Sequence, residues 1–349
     1  MPRYKLTIAY DGTGFSGWQK QEPPVSQAEI DARAGTTWSM FSPYAVKHGV
    51  VPSGLLANEY RDADGTVRSP LRTVQGVVER AVRSLVGEPV IVMGASRTDS
   101  GVHARGQVAA FTCGGSDEEA DPTGGAPAES LTSSPPHFLS PNPPQREHGW
   151  PVSRGTNRLA AAINARLPED VVVLAAEGVD PAFDPISDCE AKGYSYTLHI
   201  GPERPLFDRQ FVHHVRTPLD VDAIRRAAER IVGEHDFAAF AKAGHGREST
   251  VRTVFECRVA EAGTEGHRDE GTKEGPERTS GRLRIEVSGN GFLYNMVRII
   301  AGTLVDAGRG KLTPDDVAAA IETGDRRRAG PTLPPHGLCL EWIRYPVAP

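Results

Sequence analysis

The chain has 349 residues, 38% hydrophobic and 24% charged, with a formal net charge of −6 at pH 7. That length can bury two cores, and no run approaches the roughly 20 apolar residues that span a bilayer, so a disordered chain and a membrane protein are both unexpected. Cys113, Cys189, Cys257 and Cys339 are scattered and form no C-x-x-C pair, which argues against a disulfide framework and a zinc ribbon. The histidines lack ligand spacing, so no metal is expected. Met1 to Lys5 leads into no long apolar stretch; no signal peptide is expected, and the location implied is cytoplasmic.

Tyr4, Leu6, Ile8 and Tyr10 alternate with polar or small residues, the pattern of a half-buried strand. Gly12 to Gly17 then spells G-x-G-x-x-G, formally a dinucleotide-binding fingerprint. It reads as a decoy, because that fingerprint must open a helix, whereas Trp18 to Glu22 runs into Pro23-Pro24. Residues from Pro24 to Arg72 hold no period and read as an insertion; Trp38, Phe41 and Tyr44 would let it pack. Val74, Val77, Val78, Ala81, Val82 and Leu85 predict a helix with one apolar face, capped by Thr73 and stopped by Gly87 and Pro89. On spacing alone Gln75 reads as a solvated residue of this helix.

Two apolar runs, Val90 to Met93 and Val108 to Phe111, predict strands on either side of a polar, Gly-punctuated loop. The loop carries Arg97, Asp99, His103 and Arg105. An ionised aspartate beside fixed cations is expected to keep a low pKa and to serve as a nucleophile or an electrostatic partner. The same R-x-D also suits a tied surface turn.

From 113 to 152 the composition turns to Gly, Pro, Ser and acid, a flexible linker or insert between an N-terminal domain (1–112, with its insert at about 23–72) and a C-terminal domain (153–349). Leu159, Ile163 and Leu167 predict a helix with Asn157 near its start, and Val171 to Leu174 a buried strand. Tyr194, Tyr196 and Leu198 share one face of a strand. Val221, Ile224, Ala228 and Ile231 predict another amphipathic helix. Thr253 to Val259 predicts a strand, an acidic excursion follows at about 261–280, and Leu283, Ile285 and Val287 return beside it. Thr313, Pro314 and Asp315 begin a last helix, and a final strand ends at Tyr345. The acidic segments 113–152 and 261–280 sum to −5 and −3, leaving the remainder at +2, so net acidity does not exclude a basic cleft.

The stretch Gly94 to Val108 closely resembles the G-[AS]-x-R-T-D-x-G-V-H-A-x-x-Q-V signature of the TruA-type tRNA pseudouridine synthases, with Asp99 on the catalytic aspartate. Tyr10 to Gln19 resembles the family's Y-D-G-T-x-F-x-G-W-Q opening, and the block containing Lys192, Gly193, Tyr194 and Tyr196 its [KR]-x-Y-x-Y. Gly233 to Phe237 resembles G-x-H-D-F, Gly289 to Gly302 resembles G-x-x-F-L-[YR]-x-x-V-R-x-[IM]-x-G, and Ala329 to Leu340 resembles the closing A-G-x-x-A-P-x-x-G-L-x-L, with Leu333 in place of a small residue. Family members usually carry Arg where this chain has Lys192; Pro185 and Gly193 also depart from the commoner pattern.

The resemblance implies an α+β fold of two similar domains, each an antiparallel sheet with helices on one face, around an RNA-binding cleft. It implies isomerisation of uridine to pseudouridine in the anticodon stem-loop of tRNA, near positions 38 to 40, by a homodimer that uses no cofactor. Asp99 would be the reacting carboxylate, Arg298 its partner, and Tyr194 the ring that stacks on a flipped base. Arg97, His103, Arg105, Lys20 and Lys192 would contact RNA. Two other classes remain open on residues alone: a nicotinamide-dependent oxidoreductase using Gly12 to Gly17, and a non-catalytic RNA-binding module.

Overall fold

A computed structural model describes residues 1–29, 59–114, 149–242, 249–261, 278–279 and 281–346. Most of the first insert, the acidic linker and the acidic excursion therefore lie outside the described residues. The chain runs through β1 (Arg3–Tyr10), β2 (Tyr60–Arg61), β3 (Val67–Arg68), α1 (Val74–Val86), β4 (Met93–Gly94), β5 (His103–Thr112), α2 (Thr156–Asn164), β6 (Val171–Val179) and β7 (Ala191–Ile200). It continues through β8 (His213–Val215), β9 (Leu219–Asp220), α3 (Val221–Glu229), β10 (Gly233–Asp236), β11 (Val251–Glu261), β12 (Arg278–Thr279), β13 (Gly281–Gly289), α4 (Met296–Gly308), α5 (Pro314–Thr323) and β14 (Leu338–Arg344).

The α+β class holds, and the sheets of the two halves are continuous. Ten strands form one sheet in the order β10-β11-β13-β7-β14-β5-β1-β6, with β4 on β5 and β8 on β7. The halves join where β14 pairs with β5 in parallel, Cys339 opposite His103 and Leu340 opposite Ala104. Beyond the expected boundary at residue 153, α2 and β6 still pack on the first half: β6 runs antiparallel to β1 and α2 contacts α1.

Alternation along β1 places Tyr4, Leu6, Ile8 and Tyr10 in the core while intervening residues stay partly open. Full burial of a large apolar side chain contributes about 1.5–3 kcal/mol, so a one-residue slip of this row would forfeit roughly 6–12 kcal/mol, comparable to a typical total stability. Thr73 caps α1 by accepting from the Gly76 amide, and Gly87 ends it in the left-handed region. Thr313 and Asp316 form a capping box at the start of α5.

Several boundaries differ from expectation. β5 begins at His103, so His103 and Arg105 are strand residues and the loop is shorter. β6 is half-buried rather than buried: Val171 and Val173 are 4% and 2% exposed, Val172 and Leu174 41% and 56%. An unbroken apolar run reads as covered on both faces, whereas this edge strand is covered on one. α2 stops at Asn164, short of Leu167, which still packs against the core. Ile231 lies past the end of α3 yet is fully buried.

Candidate active site

The loop from Ala95 to Val102 is fastened from three directions. Gln107, fully buried on β5, accepts from the Ser96 amide at 3.3 Å and donates to the Ser96 carbonyl at 2.6 Å. The Tyr10 hydroxyl shares a 2.8 Å hydrogen bond with that of Thr98. The Trp18 amide donates to the Thr98 carbonyl, and the Gly101 amide and Ser100 hydroxyl to that of Phe15. This explains the glycine motif. Gly17 has φ +93°, and a Cβ there would lie 2.6 Å from the Thr98 carbonyl oxygen; one on Gly12 would lie 2.0 Å from that of Val102. Residues 12–14 form a single 3₁₀ turn and open no α-helix, so these glycines let two backbones meet instead of cradling a pyrophosphate.

Asp99 projects from this loop toward α4. Eleven of the thirteen α4 residues are buried, the exceptions being Arg298 and Asp306, and an arginine in so apolar a helix needs acceptors. Arg298 has three. Its Nη1 lies 3.3 Å from Asp99 Oδ2 and donates to Asn295 Oδ1 at 2.8 Å, and its Nε donates to the Leu333 carbonyl at 2.7 Å. The Leu333 amide returns a bond to the Arg298 carbonyl at 3.3 Å. Leu333 thus serves through its main chain, and its departure from the small residue of the family leaves this clasp intact.

The low pKa expected for Asp99 is not found. Burial pushes its carboxyl above the ordinary value, and the opposing pull of Arg298, with a lesser one from Lys242, does not cancel that. Arg97, two residues away, is exposed and makes no hydrogen bond or ion pair among the described residues, so it does not offset the desolvation. Tyr194 is 7% exposed, its hydroxyl 2.9 Å from that of Ser96 and its ring edge-on to Phe292 at 5.2 Å. Burial lifts its pKa to about 12, so the phenol stays protonated at neutral pH. The result is a partly buried carboxylate beside a fixed guanidinium, with a buried aromatic ring near enough to feel the carboxylate's charge.

The other expected contacts separate. His103 is 5% exposed: its Nδ1 accepts from the Gly12 amide at 3.0 Å and its Nε2 bonds the Gln210 carbonyl at 2.8 Å. With both nitrogens used and burial lowering its pKa, it braces β5 against the Gly12 turn and Gln210. Lys192 Nζ donates to the Ala95 carbonyl at 2.7 Å, which ties β7 to the base of the Asp99 loop. Lys20 sits 3.3 Å from Glu22 and 3.8 Å from Glu79, so its charge is largely spent. Arg105 is exposed on β5 and lines a cavity with Asp11, His103 and Glu341, which Asp99 and Arg298 do not line. Gln75 bridges the Lys20 amide and the Val92 carbonyl and is structural.

Sequence reading missed Ser96, Gln107 and Asn295 as parts of the site. Gln107 was visible as a fixed polar residue entering an apolar strand; Asn295 carried no signal until its backbone was seen. Also missed was a groove between α1 and the turn after α2, lined by Arg72, Arg80, Ser84 and Arg166. There Arg72 is bound to Asp170, while among the described residues Arg80 has no ion-pair partner and the Arg166 guanidinium meets only the Ala162 carbonyl.

The sequence also matches known proteins. A family model described as tRNA pseudouridine synthase matches residues 227–346, the half that supplies Arg298. A tRNA pseudouridine synthase A of Pelobacter propionicus and a tRNA pseudouridine synthase A 2 of Clostridium perfringens are each 33% identical over 345 residues, covering 99% of this chain and all of the relative. A tRNA pseudouridine synthase A of Geobacter sulfurreducens is 32% identical over the same share. With the Asp99 loop and the Arg298 helix both inside that full-length match, the chain belongs to the TruA-type tRNA pseudouridine synthase family.

Proposed function

We propose that the chain isomerises uridine to pseudouridine in tRNA, at the anticodon stem-loop near positions 38 to 40, with Asp99 as the reacting carboxylate. The observation that carries this reading is the contact of Asp99 with Arg298, which come from opposite halves of the chain. In the reaction the N1–C1′ bond breaks, the uracil turns, C5 bonds to C1′, the C5 hydrogen leaves as a proton and N1 gains one. Atoms and electrons balance without an oxidant or a reductant. A duplex or stacked uridine must first be flipped out to reach the carboxylate; Tyr194 would border the flipped base, and Asp99 would act at C1′, at C6 or at C2′. Burial supports this use, since a carboxylate of raised pKa is the better base and nucleophile once ionised.

For the RNA path the reading takes Arg97 and Arg105, both exposed, and adds the Arg80 and Arg166 groove. Phosphates select such unneutralised guanidinia. A homodimer working in the cytoplasm completes the proposal; light scattering of the purified chain reads the first. The test of the activity is tritium release from tRNA labelled at uridine C5, for the wild type and Asp99→Asn. Release by the wild type alone supports the proposal. No release from either, with tRNA still bound, overturns it in favour of a non-catalytic RNA-binding module.

A further inference from the structure

We propose that Asn295 is a positioning residue of this reaction: its side-chain oxygen fixes the Arg298 guanidinium so that Asp99 is contacted without being locked. The proposal rests on the function above. Asn295 is the one non-glycine residue with positive φ among the described residues, at 65°. A left-handed backbone costs an ordinary residue free energy and persists where the surroundings require it. Asn295 also occupies the N-cap of α4, where an asparagine side chain normally accepts a backbone N–H of the first turn. Here it makes no such bond. Its Oδ1 instead accepts from Arg298 Nη1 at 2.8 Å, and the acceptor is the oxygen because a guanidinium only donates.

The three distances show what this achieves. Arg298 is held tightly by two neutral oxygens, at 2.7 Å from Leu333 and 2.8 Å from Asn295, and loosely by the charged one, at 3.3 Å from Asp99. A free arginine beside a carboxylate would close into a bidentate pair and occupy the oxygens that must act on the nucleotide. Neutral anchors on Nε and Nη1 prevent that closure while keeping the positive charge in place. The chemistry calls for an amide: a carboxylate at 295 would compete for the guanidinium and add a negative charge beside Asp99. Among the described residues, the other charged or titratable groups that bear on Asp99 are Lys242, just past the 3₁₀ turn Ala238–Phe240, and Tyr194 on β7.

The experiment compares Asn295→Gly, Asn295→Ala and Asn295→Asp by tritium release across pH, by thermal unfolding, and by carboxyl ¹³C titration of Asp99 in the free protein. The glycine form removes the side chain and relieves the backbone, so its Tm should equal or exceed that of Asn295→Ala. Its kcat should nonetheless fall by about 10- to 100-fold, the usual cost of misplacing a reacting group, with KM within about twofold because the Asn295 oxygen is engaged by Arg298. Asn295→Asp should move the Asp99 titration and the acid limb of kcat to higher pH; Asn295→Gly should not. Equal Asp99 titrations in wild type and Asn295→Asp would overturn the inference whether or not the chain makes pseudouridine. So would a wild-type kcat for Asn295→Gly. An inactive wild type would instead sink the functional reading, and the titration would still judge Asn295.

Discussion

Replacing Arg298 with Gln tests whether the guanidinium is there for its charge or for its hydrogen bonds. Opposite charges 3.3 Å apart interact by about 5 kcal/mol at an effective dielectric near 20. Some of this is screened, since the Asp99 side chain is 26% exposed. The bonds to Leu333 and Asn295 contribute about 1.5–3 kcal/mol each, and glutamine can remake one. Charge is therefore the larger single loss, and its signature is pH dependence. Burial already raises the Asp99 pKa and Arg298 opposes the rise; without Arg298 it rises further. A reaction that needs the carboxylate is lost as pH falls through that pKa, so the acid limb of kcat/KM should move up. Tritium release measured across about pH 5 to 9 should then show the variant-to-wild-type ratio climbing with pH. Thermal stability should run the other way. A carboxyl with a raised folded pKa binds protons better folded than unfolded, so the variant loses stability as pH rises from 3.8 through the new pKa. An activity ratio that stays flat with pH would refute the charge argument and leave Arg298 a structural clasp.

Further expectations follow from single distances. A Cβ on Gly193 would sit 2.2 Å from the Trp342 indole, so Gly193→Ala should cost about 1–3 kcal/mol of stability, read by chemical denaturation, and Trp342→Ala in the same chain should recover part of it. Burial and neighbouring His336 depress the His213 pKa to about 4; the unfolded chain then binds more protons between roughly pH 6.5 and 4, and stability falls as pH falls through that window. His213→Gln should flatten that slope in thermal scans. Tyr194→Phe loses the 2.9 Å bond to Ser96, worth about 0.5–1.5 kcal/mol, and keeps the ring, so kcat should drop no more than about tenfold; a larger loss would give the hydroxyl a chemical role. Arg80→Gln with Arg166→Gln should lower the salt slope of tRNA binding by about one per arginine at unchanged kcat, and an unchanged slope would remove the groove from the RNA path.

Strong local signals were legible in the sequence. The β1 alternation, the Thr73 and Thr313 caps and the return of β13 beside β11 all appear where period and cap chemistry put them. The Asp99–Arg298 contact was reachable only by resemblance, because 199 residues separate the partners and no local pattern encodes so distant a pairing. The sign of the Asp99 shift was misread for the same reason: sequence shows which cations are near along the chain, not how much water the fold removes. Lys192 and His103 show the limit again. Their residue types suit RNA, but the hydrogen bonds that claim them come from Ala95, Gly12 and Gln210, which only the folded chain brings close.

The joint between the halves accounts for the geometry of the site. β5 and β14 pair over two positions, His103 with Cys339 and Ala104 with Leu340. His103 lies four residues after Asp99, and Cys339 six after Leu333, whose carbonyl holds Arg298. One register therefore sets the distance between the carboxylate and the clasp on its partner. The segment leading into β14 is pinned at both ends: the Tyr196 hydroxyl donates to the Pro334 carbonyl at 2.8 Å, and Thr303 on α4 accepts from the Gly330 amide at 2.8 Å. Pro331 stiffens what lies between, and Pro334-Pro335 the entry to β14. A parallel pair this short would be weak alone, and it holds because β7 and β1 flank it within a continuous sheet. Weakening this junction should cost activity before it costs folding, since each half keeps its own strands and helices while the 3.3 Å contact between Asp99 and Arg298 spans the joint and shifts with its register.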